Sequence, residues 1–264
     1  NSNTIFISPF IPLTVAGARV SRFYMLEPPI NKHIETMIKY GAEIYDAPKI
    51  TFFYHDNGFG QKSANYFTNY IDSLNKERDL SQQITYAIID INDKSIYKLK
   101  VEDQLSLTKD NVFIINSFDE NAISVLLQKI NAIDKKENNL ITFGMPGWEQ
   151  SEVLRINYLS NNQIHFTSSV WENNQTDEKS VFSDNYKSTY KKMPENEVYL
   201  GYDLATVFIK TIDNYGINFD AELLKSDYKS YIKNYNFSRN INGRIENNAL
   251  YIYKIEDFKR ILVK

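Results

Sequence analysis

The chain has 264 residues, of which 42% are hydrophobic, so it is long and apolar enough to bury a sizeable core. Its net charge is -3 at pH 7, and no run of lysine and arginine forms the basic stripe that nucleic-acid-binding proteins use. The absence of cysteine excludes disulfides and thiolate metal sites, and the longest apolar runs fall well short of the ~20 residues that a membrane-spanning helix needs.

The predicted elements alternate between strands and helices as far as Trp171. A strand is predicted where apolar residues follow one another in a short run, as in "ITFFYH" (50–55), because a strand buried on both faces has this pattern. A helix is predicted where apolar residues recur at helical spacing, as at Phe67, Ile71 and Leu74. The predicted strands are 4–8, 22–26, 50–55, 84–90, 111–117, 139–144 and 163–169, with helices at 33–45, around 67–74, around 122–133 and at 149–158.

The pattern changes after Trp171. Two helices (178–193 and 197–216) follow without a strand between them, then a third helix near 221–234. The last segment (243–263) reads as a hairpin-like pair of strands that turns near Asn247-Asn248. Short strands separated by helices predict a parallel sheet, and the additional helices and strands favour two lobes with a chain that crosses between them more than once.

The stretch "KITFFYHDNGFGQKSANYFTNYI" (49–71) reads as a strand, a turn with two glycines and a helix. That order is typical of a phosphate loop and also of many other ligand clefts. A phosphate loop needs Gly-Lys-Ser/Thr, whereas Gln61 and Lys62 follow Gly60 in this chain. We therefore expect the turn to form the rim of a cleft, with Asp56 as the residue that shapes the turn and caps the helix.

Candidate catalytic residues are sparse in this sequence. His33, His55 and His165 are scattered, without the spacing to Asp or Glu that makes a metal site. The pair His55-Asp56 follows a strand and is compatible with acid–base chemistry, but no Gly-x-Ser-x-Gly elbow accompanies it. We predict no catalytic residue, no metal and no cofactor, and an enzyme with a doubly wound sheet ranks below the non-enzymatic hypotheses.

Five segments of the chain, taken in order, carry a family resemblance. They are "IFISPF" (5–10), "ITFFYHDNGFGQKSANYFTNYI" (50–71), "NVFIINSFDENAISVLLQKI" (111–130), "LITFGMPGW" (140–148) and "FSDNYKSTYKKMPENEVYLGYDLATVFIKTI" (182–212). Together they resemble the type I periplasmic binding proteins, which are the leucine-binding-protein-like solute receptors of bacterial ABC transporters. The resemblance covers nearly the whole chain, and the aromatic-rich composition is similar to that of Bacteroidetes-like envelope members.

The resemblance implies an α/β fold with two lobes, in which parallel sheets are flanked by helices and the ligand lies in the cleft between the lobes. Compared with the family, the first part of the N-terminal lobe is missing, so the N-lobe is expected to be incomplete, either as a fragment or as a reduced lobe. The implied regions are 1–30 as an N-lobe remnant, 31–172 as the C-lobe, 173–240 as N-lobe helices, and 241–264 as terminal strands near the hinge and the C-lobe.

The implied ligand site lies beyond the carboxyl ends of the strands. Amino-acid-binding members hold the ligand with small hydroxyls and acidic groups, whereas Phe10, Ile11 and Pro12 follow the Ser-Pro of this chain. Trp148 stands where an acidic residue is expected, and Glu27 lies only next to the other expected acidic position. Burying a zwitterion without paired charges costs several kcal/mol, so a free amino acid is not the expected ligand. The predicted ligand-binding residues are Phe10, Ile11, Pro12, Gly58, Phe59, Phe118, Asp119, Gly147 and Trp148.

An aromatic-lined cleft suits a sugar, a nucleobase-like ring, an apolar side chain or an anchor of a partner protein, although each aromatic residue is equally compatible with core packing. The favoured hypothesis is a non-enzymatic solute-binding-protein-like receptor of the bacterial envelope. The alternative is a degenerate binding-protein fold that serves as an accessory protein-interaction subunit of a cell-envelope complex. The expected partner is a small-molecule ligand or an envelope protein and not nucleic acid, and the expected location is periplasmic or outer-membrane-associated.

Overall fold

The structure is a computed structural model that describes residues 4–9, 22–92, 94–151, 153–170, 177–225, 227–240 and 243–264, without the side chains of residues 150, 177 and 217. Within these ranges, every helix is too short or too polar to cross a lipid bilayer. The strands are β1 (Phe6–Ser8), β2 (Phe23–Met25), β3 (Lys49–Tyr54), β4 (Thr85–Asp90), β5 (Asn111–Asn116), β6 (Leu140–Phe143), β7 (His165–Ser168), β8 (Asp227–Lys229), β9 (Asn234–Arg239), β10 (Ile245–Asn247), β11 (Tyr251–Glu256) and β12 (Lys259–Leu262). The helices are α1 (Ile30–Ile44), α2 (Gly58–Asn75), α3 (Ser95–Lys98), α4 (Glu120–Asn131), α5 (Ile156–Asn161), α6 (Asp177–Tyr190), α7 (Asn196–Tyr215) and α8 (Phe219–Leu223).

The chain divides into two compact units. The first unit consists of Asn1–Pro29 and Ser168–Tyr251, and the second unit consists of Ile30–Thr167 and Ile252–Lys264. The chain therefore passes from one unit to the other after Pro29, after Thr167 and after Tyr251. Each unit is built from a β-sheet and helices, so the predicted α/β class is confirmed.

The second unit is built on a seven-stranded sheet in the order β12-β11-β7-β6-β5-β3-β4. Parallel pairing runs from β4 through β3, β5 and β6 to β7, as the alternation of strands and helices predicts. All six residues of β5 are buried, which is the pattern of a central strand covered on both faces. Helix α1 approaches this strand closely, because a Cβ on Gly41 would lie only 3.0 Å from Cγ2 of Val112.

The first unit is built on a five-stranded sheet in the order β1-β2-β10-β9-β8. Strand β2 pairs in parallel with β1 and β10, and β9 pairs antiparallel with β10 and β8. The core of this unit surrounds Tyr24, which is fully buried and hydrogen-bonds through its hydroxyl to Asp220. Its ring centroid lies 5.0 Å from that of Phe208, 5.8 Å from that of Phe237 and 6.1 Å from that of Phe219. These ring contacts join β2 to α7, α8 and β9.

The helix predicted at 221–234 is wrong, because a β-hairpin occupies most of that segment. Helix α8 ends at Leu223, and β8 and β9 follow. The side chains of Tyr235 and Phe237 are buried, while Asn236 between them is exposed. That alternation has the period of two expected of a strand, and it continues past the end of the predicted helix.

The turn predicted at Asn247-Asn248 is also wrong. Strands β10 and β11, on either side of it, belong to different sheets, and β10 lies in the sheet of the first unit. The hairpin joins β11 and β12, and it turns at Asp257 and Phe258, whose φ angles are 49° and 61°. Positive φ at both central residues indicates a type I′ turn, which usually carries the glycine that this segment lacks. Asn247 is instead buried, and its Nδ2 donates to the backbone oxygen of Leu26 at 3.0 Å.

The helix predicted at 149–158 is replaced by two shorter elements. A single 3-10 turn covers Trp148–Gln150, and α5 begins only at Ile156. Between them, the hydroxyl of Ser151 accepts hydrogen bonds from the backbone N–H groups of Val153 at 3.1 Å and Leu154 at 3.0 Å. A serine that bonds to nearby backbone N–H groups offers the chain an alternative to helix, which explains the interruption.

His165 in β7 is expected to make the stability of the second unit depend on pH. The imidazole is 9% exposed, and its ring centroid lies 5.5 Å from that of Phe143 and 6.1 Å from that of Tyr40. Burial lowers the pKa of His165 from 6.5 to about 4. Between these two values the unfolded chain binds a proton that the folded chain does not. The free energy of unfolding is therefore expected to fall by about 3 kcal/mol as the pH drops through that window.

The matched variant for this effect is His165→Phe, which keeps an aromatic ring and cannot be protonated. Urea unfolding of both proteins at about pH 7 and about pH 4.5 measures the linkage. The stability of the variant relative to the wild type is expected to rise at the lower pH. A difference between the two proteins that is the same at both pH values would contradict the assignment to His165.

Candidate functional site

The turn after β3 is shaped by Asn57. This residue precedes α2, and its Oδ1 accepts hydrogen bonds from the backbone N–H groups of Phe59 at 3.1 Å and Gly60 at 2.8 Å. The prediction that Asp56 caps the helix is therefore wrong by one residue, and Asp56 instead accepts a hydrogen bond from Nε2 of Gln61 at 2.5 Å. Because the Asn57 side chain occupies two of the first N–H groups of α2, these groups are not available to a phosphate.

Gly60 is the glycine that this turn requires. A Cβ on Gly60 would lie 2.0 Å from the backbone oxygen of His55, whereas a Cβ on Gly58 meets nothing within 4 Å. We expect Gly60→Ala to lower the free energy of unfolding by about 1–3 kcal/mol, because the backbone must move to admit the methyl group. Gly58→Ala is the matched control, and helix propensity predicts unchanged stability or a gain of up to about 1 kcal/mol. Equal losses in urea unfolding of the two variants would contradict this account.

Hydrogen bonds of Ser117, Asp119 and Trp148 hold the turn after β5. The carboxylate of Asp119 caps α4 by accepting from the backbone N–H groups of Asn121 and Ala122, each at 3.0 Å. The hydroxyl of Ser117 accepts from the N–H of Asp119 at 3.1 Å. The backbone oxygen of Ser117 accepts from Nε1 of Trp148, also at 3.1 Å. Asp119, a predicted ligand-binding residue, thus has its carboxylate engaged by the helix.

A cavity of about 250 Å³ lies at the two turns, where β3 and β5 end. Asn116 is 1% exposed, and among the described residues neither atom of its amide group has a hydrogen-bond partner. The same holds for Nδ1 of His55. A buried polar atom without a partner costs about 1–3 kcal/mol, so the amide of Asn116 and Nδ1 of His55 are costly groups beside the cavity. The cavity is lined by His55, Asn57, Phe59, Gly60, Asn116, Ser117, Phe118 and Asp119.

Two aromatic rings stand exposed at the cavity. Phe59 is 43% exposed and Phe118 is 56% exposed, and their ring centroids are 5.9 Å apart with the planes tilted by 51°. Each follows a different strand, so the parallel order of β3 and β5 is what brings the two rings together. The pair offers apolar contact area next to unpaired hydrogen-bonding groups, which is the usual composition of a small-molecule site.

The predicted site residues divide into three groups in the structure. Phe59, Phe118 and Asp119 line the cavity, and Gly58 is the first residue of α2 without lining it. His55 and Asn116 line the cavity as well, and the sequence did not assign them to ligand binding. The only signal for these two is that each polar residue stands at the end of a buried strand. Phe10, Ile11 and Pro12 lie outside the described residues.

Trp148 and Gly147 lie behind the turn after β5 and do not line the cavity. Trp148 is 4% exposed and lies against Gly144, where a Cβ would come within 2.3 Å of the indole ring. Gly147 has a φ of 92°, the left-handed conformation that favours glycine. Through its bond to Ser117, the indole therefore acts as a support for the turn that carries Phe118.

The acidic residue closest in sequence to the position expected for an ammonium-binding group is already paired. In the first unit, one carboxylate oxygen of Glu27 contacts the ammonium group of Lys233, and the other accepts from the hydroxyl of Ser169 at 2.7 Å. Lys233 is 4% exposed, so this pair is largely removed from water. Among the described residues, no group of three or more His, Asp and Glu side chains is placed to hold a metal ion.

The chain has the fold of the type I periplasmic binding proteins, as comparison with solved structures shows. The substrate-binding protein of an ABC transporter from Desulfitobacterium hafniense, in complex with leucine, is 14% identical with a TM-score of 0.60, over 98% of this chain and 73% of that chain. The leucine-binding protein LivK from Thermotoga maritima is 13% identical with a TM-score of 0.54, over 94% and 68%. Full-length LpoA from Haemophilus influenzae is 12% identical with a TM-score of 0.55, over 96% and 42%. No family model and no curated protein matches the chain.

Proposed function

We propose that the chain is a non-enzymatic solute-binding receptor of the bacterial envelope, and that the cavity of the second unit holds an uncharged ligand with a ring. The observation that carries the proposal is the combination of unpaired buried polar atoms, on Asn116 and His55, with the exposed rings of Phe59 and Phe118. Solved proteins of the same fold include a substrate-binding protein of an ABC transporter, which supports the function, and a periplasmic ligand-binding protein, which supports the location as well.

The charges at the cavity support an uncharged ligand. Among the described residues, no Lys or Arg lines it, and the one carboxylate there, on Asp119, caps α4. Glu27 is occupied by Lys233 and Ser169. A free amino acid would bring two charges without partners to receive them, whereas a sugar or nucleobase needs only neutral donors, acceptors and ring contacts. We therefore propose neutral ring compounds as the ligand class.

A thermal-shift screen tests this function. The purified chain is heated with neutral monosaccharides, nucleobases, nucleosides and free amino acids, each at about 1 mM, because a ligand of the folded state raises the apparent melting temperature. We expect a rise with a neutral ring compound that disappears in Phe118→Ala. Tyr97→Ala is the matched control, since Tyr97 is 69% exposed and does not line the cavity. A rise with free amino acids alone would overturn the proposed ligand class.

Asn116→Leu is expected to separate stability from binding. Leucine has nearly the same shape and removes two unpaired polar atoms, so the free energy of unfolding should rise by about 1–2 kcal/mol while ligand binding is lost. Asn111→Leu is the matched control in the same strand, because the Asn111 side chain is equally buried and makes four hydrogen bonds. That variant should lose about 2 kcal/mol or more. Urea unfolding and the thermal-shift response measure both, and destabilisation by Asn116→Leu would contradict this account.

The second candidate function is a protein-interaction subunit of an envelope complex. The observation that favours it is the exposure of Phe59 and Phe118, because exposed rings of this size also serve as anchors for a partner protein. The screen distinguishes the two functions. The second function would be favoured if no class of small molecule raises the apparent melting temperature. An envelope protein should then co-purify with the wild type and not with Phe118→Ala.

A further inference from the structure

We infer that a groove of the first unit binds an extended acidic segment of a partner protein, which adds as a strand beside β8. The groove has a volume of about 750 Å³ and lies between helix α7 and strand β8. Residues from Tyr202 to Tyr215 form one wall, and residues from Tyr228 to Tyr231 form the other. The groove shares no residue with the cavity of the second unit, so this inference goes beyond the proposed function and stands independently of it.

The outer edge of β8 is open for pairing. This strand is last in its sheet, and the N–H of Ser230 donates to the oxygen of Lys233 in the adjoining hairpin turn at 3.1 Å. Hydrogen-bonded positions alternate along an antiparallel pair, so the backbone groups of Tyr228 and Ser230 face β9 while those of Asp227 and Lys229 face outward. In the part of the chain that the structure describes, no group pairs with the outward backbone groups of Asp227 and Lys229.

The dimensions of the groove suit a peptide in the extended conformation. From Tyr202 to Tyr215 helix α7 rises by about 20 Å, at about 1.5 Å per residue. An extended chain covers that length with about six residues, at about 3.3 Å per residue. An open strand edge facing a helix is also the arrangement by which several peptide-binding domains take up an added strand, with backbone bonds supplying affinity and side-chain contacts supplying specificity.

Two lysines make the groove attractive to an acidic segment. Lys210 on α7 and Lys229 on β8 line opposite walls, and neither has a carboxylate within ion-pair distance among the described residues. Two ammonium groups in one groove raise its local positive potential and favour a ligand that carries carboxylates. Three carboxylates, on Glu178, Asp203 and Glu222, also line the groove, so the preference for an acidic segment is confined to the stretch between Lys210 and Lys229.

The acidic residues of the groove do not cancel this preference at its middle. Asp203 is 2% exposed and accepts from the backbone N–H groups of Tyr231 at 3.0 Å and Ile232 at 3.2 Å. Burial raises the pKa of Asp203 to about 6, and those hydrogen bonds oppose the rise. Glu222 lies 3.9 Å from the ammonium group of Lys225.

Glu178 sets the expected direction of the charges along the groove. It belongs to α6, one turn before Phe182, whose ring centroid lies 4.5 Å from that of Tyr202 and 5.6 Å from that of Tyr231. Glu178 is therefore at the Tyr231 end, about two helical turns of α7 away from Lys210. We expect the carboxylates of the bound segment to lie towards Lys210.

Fluorescence anisotropy with synthetic peptides tests the inference without altering the protein. The probe is a labelled six-residue peptide of alternating valine and glutamate, and the comparison peptide carries lysine in place of glutamate. The acidic peptide should bind at least tenfold more tightly than the basic one. A third peptide is N-methylated at alternate amides, so that one of its backbone edges cannot donate hydrogen bonds. It should bind at least tenfold more weakly than the unmethylated acidic peptide. No saturable binding of the acidic peptide up to about 1 mM, or equal binding of the N-methylated peptide, would overturn the inference.

Charge reversal in the protein locates the binding. The double variant Lys210→Glu/Lys229→Glu should bind the acidic peptide at least tenfold more weakly than the wild type and should bind the basic peptide more tightly. Lys187→Glu is the matched control, since Lys187 is an exposed lysine of α6 that does not line the groove. Unchanged binding in the double variant would overturn the assignment to this groove. The response to neutral small molecules in the thermal-shift screen is expected to survive the double variant, so failure here leaves the proposed function untouched.

Discussion

Replacing Trp148 with alanine is expected to lower the free energy of unfolding by about 3–5 kcal/mol, the range for truncating a buried large aromatic side chain. The indole is 4% exposed, so its removal leaves a void against Gly144. Its Nε1 also donates to the backbone oxygen of Ser117, which would lose that partner. Because Ser117 precedes Phe118, the loss should reach the site as well as the core.

Two variants separate the packing of Trp148 from its hydrogen bond and from ligand contact. Trp148→Phe keeps a six-membered ring but loses the Nε1 donor and part of the ring volume, so a smaller loss of about 1–2 kcal/mol is expected. Phe118→Ala removes an exposed ring and should change stability by less than about 0.5 kcal/mol while abolishing the ligand response. Urea unfolding measures the stability of all three variants. It is monitored by circular dichroism of the backbone, because tryptophan fluorescence changes when Trp148 is replaced. A loss below about 1 kcal/mol for Trp148→Ala would show that the indole is not a structural support.

Replacing Glu27 with glutamine is expected to cost about 3–5 kcal/mol, because it leaves the buried ammonium group of Lys233 without a counter-charge. Burial already lowers the pKa of Lys233 to about 8. The loss should therefore shrink as the pH rises above that value, where the neutral amine needs no partner. Glu27 and Ser169 each lie within two residues of a point where the chain passes between units. Through its contacts with Lys233 and Ser169, Glu27 therefore connects two of these crossing points to the residue that precedes β9.

The double variant Glu27→Gln/Lys233→Met tests whether the loss of stability comes from the unpaired ammonium group of Lys233. Since removing both charges leaves no buried ion, most of the lost stability should return. Glu195→Gln is the matched control, because the Lys192–Glu195 pair spans 4.0 Å with both side chains largely exposed, and its loss should stay within about 0.5 kcal/mol. A Glu27→Gln loss as small as that of Glu195→Gln would show that the buried pair does not stabilise the unit.

Much of the second unit is readable from sequence because its central strands are buried on both faces. The runs that became β3 and β5 are continuously apolar, and α1 and α2 repeat apolar residues at helical spacing, so hydrophobic pattern alone predicts a parallel sheet. The end of the first unit was misread because the alternating pattern of β8 and β9 is carried by Tyr, Asn and Lys. The β11–β12 turn was missed because Asp257 and Phe258 adopt positive φ without a glycine.

The position of the candidate site could be predicted from the sequence, whereas the residues that line it could be predicted only in part. The rule that ligands lie beyond the carboxyl ends of strands identified the turns that hold Phe59 and Phe118. It could not separate exposed rings from buried ones, because Trp148 follows β6 in the same way and packs on Gly144. Asn116 was read as strand, since nothing in a sequence reveals that an amide lacks hydrogen-bond partners. That property depends on every neighbour in three dimensions.

A crystal structure of the chain with the most stabilising neutral compound from the screen would locate the ligand site. We predict that the ring of the compound contacts Phe59 and Phe118 and that its polar groups hydrogen-bond to Asn116 and His55. Stabilisation should vanish in Asn116→Leu under the same conditions. A compound bound away from these four side chains, or a complex in which the Asn116 amide still lacks partners, would contradict it.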